Sequence, residues 1–411
     1  MATFVFPDVF GGAERFIHGM ARAQAASGHE VTVLAGDTGG FPVEERLDGF
    51  RIRRYPLAKA RGLRFFLAVR EGVARALREL AGERFDIIHA HQIESAVPAL
   101  NGSFPARRVL SFHAAYRLEF EAERLDGAPA GEHRPLGLGD RLKSGAIGLL
   151  DRQCLQRAER VVVHTQFVLG QVEAIEPGAR GKVRIIPPGL DLTRFAPGDR
   201  IAARQHLSVP QEGFLIVSVR RLVRRMGIDI LIRAAAKLAA RGLPFVVAIG
   251  GAGPERQALE ALRSELGLDE RVLFLGRVPD ADLPELLRAA DLIAVPSRSM
   301  EGFGISTIEG LASGTPVLAT DSGASPEILR PIDPVLLVPA DPDGLAARLE
   351  ALLRDPARRS VLGAQGVESV RSRYSWPAIV ASMDDVYGEL VHARAPVSPT
   401  VRGTATGRDL R

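Results

Sequence analysis

The segment Glu301-Gly302-Phe303-Gly304-Ile305-Ser306-Thr307-Ile308-Glu309 places two carboxylates with seven residues between them. It follows an apolar run ending at Val295-Pro296-Ser297 and precedes a second, Gly314-Thr315-Pro316-Val317-Leu318-Ala319. That order reads as strand, glycine-containing loop, helix, strand. The amides of Gly302–Ile305 would be free at a helix N-terminus, the positive end of the helix, where a diphosphate can sit. Glu309, further into the helix, can accept hydrogen bonds from a ribose diol. Glu301, in the loop, can reach a sugar carried on that diphosphate. The competing reading is a capped core helix with incidental acids, and a bare pair of glutamates at this spacing does not decide between them.

A loop of this kind needs a frame, and in open parallel sheets ligands bind at the carboxyl ends of the strands. Short apolar runs alternate with amphipathic stretches along the chain, the pattern of parallel sheets covered by helices, so the fold class is α/β. In the first half the expected strands are Ala2–Phe6, Glu30–Ala35, Phe50–Tyr55, Phe85–Ala90, Arg108–Phe112, Arg160–His164 and Val183–Ile186, with helices at Gly12–Ser27 and Leu63–Leu80. Residues 114–138, rich in Glu, Arg, Gly and Pro, break the rhythm and read as a long loop. Pro187-Pro188-Gly189 and Ala196-Pro197-Gly198 mark a linker. A second series follows, with strands at Phe214–Val219, Phe245–Ile249, Val272–Leu275, Leu292–Val295, Pro316–Ala319 and Val335–Val338. A last helix, Pro377–His392, follows Trp376, and the polar stretch Ala393–Arg411 reads as disordered.

Composition narrows the classes. At 411 residues the chain is long enough for two or three domains, and 46% apolar with 25% charged residues is ordinary for a globular protein. No run approaches the roughly 20 apolar residues that span a bilayer, and the N-terminus reads as a strand rather than a signal peptide. Cys154 is the single cysteine, so no internal disulfide can form, which fits a cytoplasmic setting. The net charge of +4 is modest, aromatics make up 6%, and no basic stripe interleaves with them, so nucleic acid is not an expected partner. Residues 63–80 carry Arg64, Arg70, Arg75 and Arg78. That helix is either plainly solvated or a peripheral contact with the inner face of an anionic membrane.

With the two glutamates set before a Gly-Thr-Pro-Val strand, the chain resembles glycosyltransferase family 4, the retaining, nucleotide-sugar-dependent enzymes of GT-B fold. The resemblance runs from Gly11 to about His392 and implies two Rossmann-like domains facing across a cleft. Residues 1–190 would bind the acceptor, completed by the returning helix 376–392, residues 191–375 would bind the nucleotide-sugar, and 393–411 would be a tail. By the same resemblance, Glu301, Phe303, Gly304, Ile305 and Glu309 hold the donor, with Gly251 and Val278 beside it. Gly11, Gly12 and Glu14 form the turn after the first strand, with Gly12 also near the donor phosphate; His89 and His91 line the acceptor side, and His113 lies against the transferred sugar. The family's cationic segment falls on Arg220-Arg221-Leu222-Val223-Arg224-Arg225-Met226-Gly227. Its arginine is Arg221, but its usual lysine falls on Met226, a thioether that cannot neutralise a phosphate. Arg225, with a planar fork suited to phosphate, is the expected substitute.

The reaction implied is sugar transfer with retention, catalysed by His113, Glu301, Arg221 and Arg225, of the kind used in bacterial-type glycan biosynthesis. The arginines would stabilise the leaving diphosphate without a metal or cofactor. The acceptor stays open: a polysaccharide, a lipid-linked sugar or a small metabolite. Two other readings stand beside it. Met226 invites a decayed, sugar-nucleotide-binding subunit, and Asp37, just past the second strand, invites a nicotinamide-dependent oxidoreductase, although the turn at Gly11-Gly12-Ala13-Glu14 lacks the G-x-G-x-x-G spacing.

Overall fold

The structure, a computed structural model, describes residues 12–37, 39–57, 62–126, 136–207, 209–210 and 212–392. The expected strand Ala2–Phe6, Gly11, and the stretch Ala393–Arg411 lie outside the described residues.

In the first half, strands β1 (Thr32–Asp37), β2 (Glu44–Leu47) and β3 (Phe50–Pro56) pair in the order β1-β3-β2. Strands β4 (Ile87–Ala90), β5 (Arg107–Ser111), β6 (Arg160–Val163) and β7 (Val183–Ile185) pair in sequence order, all parallel. In the second half, β8 (Phe214–Val219), β9 (Phe245–Gly250), β10 (Val272–Gly276), β11 (Leu292–Val295), β12 (Val317–Thr320) and β13 (Leu337–Val338) form one parallel sheet in the order β10-β9-β8-β11-β12-β13. Its strands are continuous apolar runs because helices cover both faces: Phe214, Leu215, Ile216 and Val217 of β8 are all buried. The order reverses between β8 and β11, so the loops that leave these two strands open a crevice at their carboxyl ends. Those loops hold residues 220–227 and 296–304.

The helix Trp376–His392 buries Ile379, Met383, Val386 and Leu390 against Phe16, Ile17 and Met20 of the helix Gly12–Ala26 and Val109 and Val162 of the first half. The chain reaches it beside the linker, where the Leu190 amide donates to the Tyr374 carbonyl at 2.7 Å.

Two expectations change. The stretch 114–138 is not a loop throughout, since Tyr116–Asp126 and the start of Leu138–Arg157 are helices; part of the remainder lies outside the described residues. The Tyr116–Asp126 helix starts where the Ala115 amide donates to Gln171 and the Tyr116 hydroxyl to Glu94, tertiary anchors that no local periodicity announces. The segment Val335–Val338 is a short 3₁₀ turn, Pro334–Leu336, before the two residues of β13. No helix among the described residues is long and apolar enough to cross a membrane.

Candidate active site

The helix Ile305–Ala312 begins at Gly304, whose φ of 86° is left-handed and suits glycine. Just before it, Met300 also takes a positive φ of 56°, local strain of the kind found at functional loops. This loop turns Glu301 back across the mouth of the sheet. Its Oε2 accepts from the Ser297 hydroxyl at 2.9 Å and forms an ion pair with the Arg220 guanidinium. Burial opposes the charge on Glu301, but Arg220 and Ser297 outweigh it and hold the carboxyl below the usual carboxylate range. Arg220 is 8% exposed, its Nη2 lies 3.0 Å from the Met226 sulfur, and its Nη1 is buried with no hydrogen-bond partner.

The glycine after β9 makes this packing fit. Gly251 has a φ of 137°, and a Cβ there would lie 1.8 Å from the Arg220 carbonyl oxygen. Val278 packs near by, where a Cβ on Gly250 would fall 2.6 Å from it.

Across the crevice stand three buried histidines, His89, His91 and His164, and the partly buried His113. The network assigns their protons. His164 Nδ1 faces the Ile186 carbonyl at 2.8 Å, which only accepts, so Nδ1 carries the hydrogen. His164 Nε2 is then a lone pair, and at 3.0 Å it receives the proton of His113 Nδ1. His113 Nε2 is left as a bare acceptor, without a partner. Burial, reinforced by His164, lowers His113 to about 3, and burial lowers His164 to about 4. Both are therefore neutral at pH 7, as the relay requires.

The two walls enclose a cavity of about 540 Å³. It brings together His91, His113, Arg220, Arg221, Glu301, Phe303, Gly304 and Ile305. Its lining holds several buried polar atoms without partners among the described residues: both ring nitrogens of His91, His113 Nε2 and Arg220 Nη1. Buried polar atoms normally find partners, so this convergence marks a place for a polar ligand.

Other candidates fall elsewhere. His89 is a satisfied residue outside this cavity: Nδ1 meets the Tyr387 hydroxyl at 2.8 Å and Nε2 the Ser111 hydroxyl at 2.9 Å. Glu14 is buried and accepts from the Gln92 amide at 3.2 Å; it reaches the cavity only through Gln92. Gly12 opens the helix Gly12–Ala26. The arginine expectation also shifts. The Arg221 side chain is 63% exposed at the rim, 3.8 Å from Glu123. Arg225 points its Nη1 at the Met300 carbonyl at 3.4 Å and does not line the cavity. The buried cation beside Met226 is Arg220, the residue before the expected one. Glu309 is not open to the cleft; it is buried and meets Arg15 Nη1 at 3.2 Å. Among the described residues no group of three or more His, Cys, Asp or Glu is arranged to hold a metal.

Two parallel-sheet α/β halves, with a polar cavity where the strand order of the second reverses, define a GT-B glycosyltransferase. Residues 10–194 match the family described as Glycosyltransferase Family 4, and residues 199–368 match Glycosyl transferases group 1. The chain is 33% identical to a D-inositol 3-phosphate glycosyltransferase of Salinispora tropica, over 93% of this chain and 81% of that protein. It is 32% identical to one of Nocardia farcinica, over 89% and 82%. Among solved structures, the sucrose-phosphate synthase of Thermosynechococcus elongatus superposes with a TM-score of 0.78 and 26% identity, covering 93% of this chain and 94% of that one. WaaG, a glycosyltransferase involved in lipopolysaccharide biosynthesis, shares the fold with a TM-score of 0.70 and 21% identity, covering 94% of this chain and 99% of that one. The chain belongs to glycosyltransferase family 4. Membership sets aside the oxidoreductase reading.

Proposed function

We propose that the chain transfers a sugar, with retention at the anomeric carbon, from a nucleoside diphosphate sugar to a hydroxyl of an acceptor. The observation that carries this is the convergence of unpartnered polar atoms from both domains on one cavity, with a helix N-terminus at its floor. Each group then has a task. The amides at Gly304 and Ile305 and the Arg220 guanidinium face the diphosphate, where negative charge grows as the bond to the sugar breaks. Glu301, held charged by Arg220, accepts from hydroxyls of the transferred sugar. His113 Nε2, a fixed acceptor, takes another sugar hydroxyl from the opposite wall. The bond from the anomeric carbon to the phosphate oxygen breaks, the bond to the acceptor oxygen forms on the same face, and the acceptor proton passes to the leaving phosphate. No resident metal or cofactor is part of this proposal. The relatives named for inositol 3-phosphate and sucrose phosphate support a polyhydroxyl acceptor. The test is nucleotide release from a panel of UDP-, GDP- and ADP-sugars, followed by NMR of the product. One donor is expected to turn over and to give the anomer it began with. An inverted product would refute retention, and no donor binding or turnover would refute the donor assignment.

A further inference from the structure

The charge lining the cavity is divided between the two domains. The second domain contributes Arg220 and Arg221 with Glu301; the first contributes Glu94, Glu119 and Asp151 and, among the described residues, no arginine or lysine. Glu94 sits in the first turn of the helix Ile93–Ala99, is 4% exposed, and accepts from the Tyr116 hydroxyl at 2.6 Å. Asp151, on the helix Leu138–Arg157, is 1% exposed and accepts the Arg117 amide at 3.1 Å. Neither carboxylate has an ion-pair partner among the described residues. Glu119 feels Arg225 and Arg221 from across the cleft, but burial still raises it, as burial raises Glu94, and takes Asp151 to about 6. The first-domain end of the cavity is thus already short of positive charge.

His91 gives an independent sign of what belongs there. It is 3% exposed on the same wall, and neither ring nitrogen has a partner among the described residues. Burial, followed by the neighbouring His89, keeps it neutral, so one nitrogen must donate and the other must accept. A hydroxyl group does both. A phosphate dianion only accepts, so it could pair with the N–H but not with the bare nitrogen, and it would lie against carboxyl groups that Arg117, Arg221 and Arg225 offset only in part.

We propose that the first-domain end of this cavity binds an uncharged polyhydroxyl acceptor and discriminates against one that bears a phosphate near the reacting hydroxyl. The inference rests on the sugar-transfer reading above. Glu94 and Asp151 accept from acceptor hydroxyls, His91 donates and accepts, and the phosphate-binding groups all lie on the donor side.

The test uses the full chain with its nucleoside diphosphate bound and measures affinity for matched pairs by calorimetry: myo-inositol against inositol 3-phosphate, and glucose against glucose 6-phosphate. The unphosphorylated member is expected to bind at least tenfold more tightly. In Glu94→Gln combined with Asp151→Asn the gap should narrow, because neutral amides no longer repel the phosphate. Tighter binding of the phosphorylated member, or no difference within the pairs, overturns the proposal. Donor turnover is scored in a separate assay. If it is present while the pairs fail to discriminate, the acceptor inference alone has failed. If donor binding is itself absent, the sugar-transfer reading has failed.

Discussion

At the scale of single residues, the buried cation of the cavity is Arg220, one position before the Arg221 that motif matching selects, and both line the cavity. Arg220 and Arg221 are neighbours in an extended stretch, so their side chains leave on opposite sides. The backbone points Arg220 inward, over the Gly251 turn, and sends Arg221 to the rim. A motif records order, not direction, and so could not choose between them. Met226 becomes intelligible in the same way, for its sulfur packs against the Arg220 guanidinium at 3.0 Å, where a lysine would set a second cation beside the first. Arg220→Ala removes the partner of Glu301 and the charge proposed to face the diphosphate together. It should lower transfer by roughly a hundred- to a thousandfold. Arg225→Ala, which loses the partly exposed Met300 contact and a longer-range attraction to Glu301 and Glu119, should cost about fivefold or less. Met226→Lys alone should impair the enzyme by setting two cations side by side, yet it should restore part of the activity in the Arg220→Ala background. Transfer rates of these four variants decide the matter. Near-normal activity in Arg220→Ala would return the role to Arg221 or Arg225.

At the scale of elements, what was legible followed periodicity, and what was not followed tertiary contacts. Apart from β13, the strands of the second sheet are almost wholly apolar and are legible to within a residue at either end. β2 was missed because Glu44-Glu45-Arg46-Leu47 has no apolar face; it is held at the edge by ion pairs such as Arg54 with Glu45 at 2.6 Å. The helix Tyr116–Asp126 was missed for a similar reason, being charged and anchored from other elements. Trp376 is the single tryptophan of the sequence, but its surroundings are not legible there. The indole is sandwiched between Gly19, in the middle of the helix Gly12–Ala26, and Gly189 in the linker. A Cβ on Gly19 would fall 2.2 Å from the ring, and one on Gly189 would fall 2.4 Å from it. Glycine inside a helix ordinarily costs roughly 0.5–1 kcal/mol relative to alanine, so Gly19→Ala would normally stabilise. Here it should destabilise by about 1–3 kcal/mol, because the ring cannot move without dislodging the C-terminal helix. Denaturant unfolding of Gly19→Ala gives the sign directly, and a stabilised variant would show that the indole has room to shift.

At the scale of the whole molecule, the two domains touch through a small set of polar ties across the cleft. Glu327 accepts from the amides of Gln166 and Phe167, both at 2.8 Å, at the start of the helix Gln166–Ile175. The Thr165 hydroxyl donates to the Gly302 carbonyl at 3.0 Å. Arg15 binds Asp280 at 2.8 Å and Glu309 at 3.2 Å. The glutamate spacing was visible in the sequence, but its occupant was not, because Arg15 lies 294 positions away in the chain. This last tie has a consequence for ligand binding. Burial raises Glu309, and Arg15 is the strongest influence opposing that rise. If Glu309 serves a ribose diol, as proposed from the family pattern, Arg15 occupies the carboxylate that the ribose needs. The nucleotide must then displace an ion pair whose arginine is about one-third exposed. Such a contact is worth up to about 1 kcal/mol. Arg15→Ala should therefore tighten nucleotide binding by up to about fivefold. Glu309→Ala should weaken binding instead, even though it breaks the same ion pair. Calorimetric affinities for the nucleoside diphosphate separate the two effects. Opposite shifts would place Glu309 on the ribose and Arg15 as its competitor. Equal losses in both variants would mean that the pair only holds the domains together.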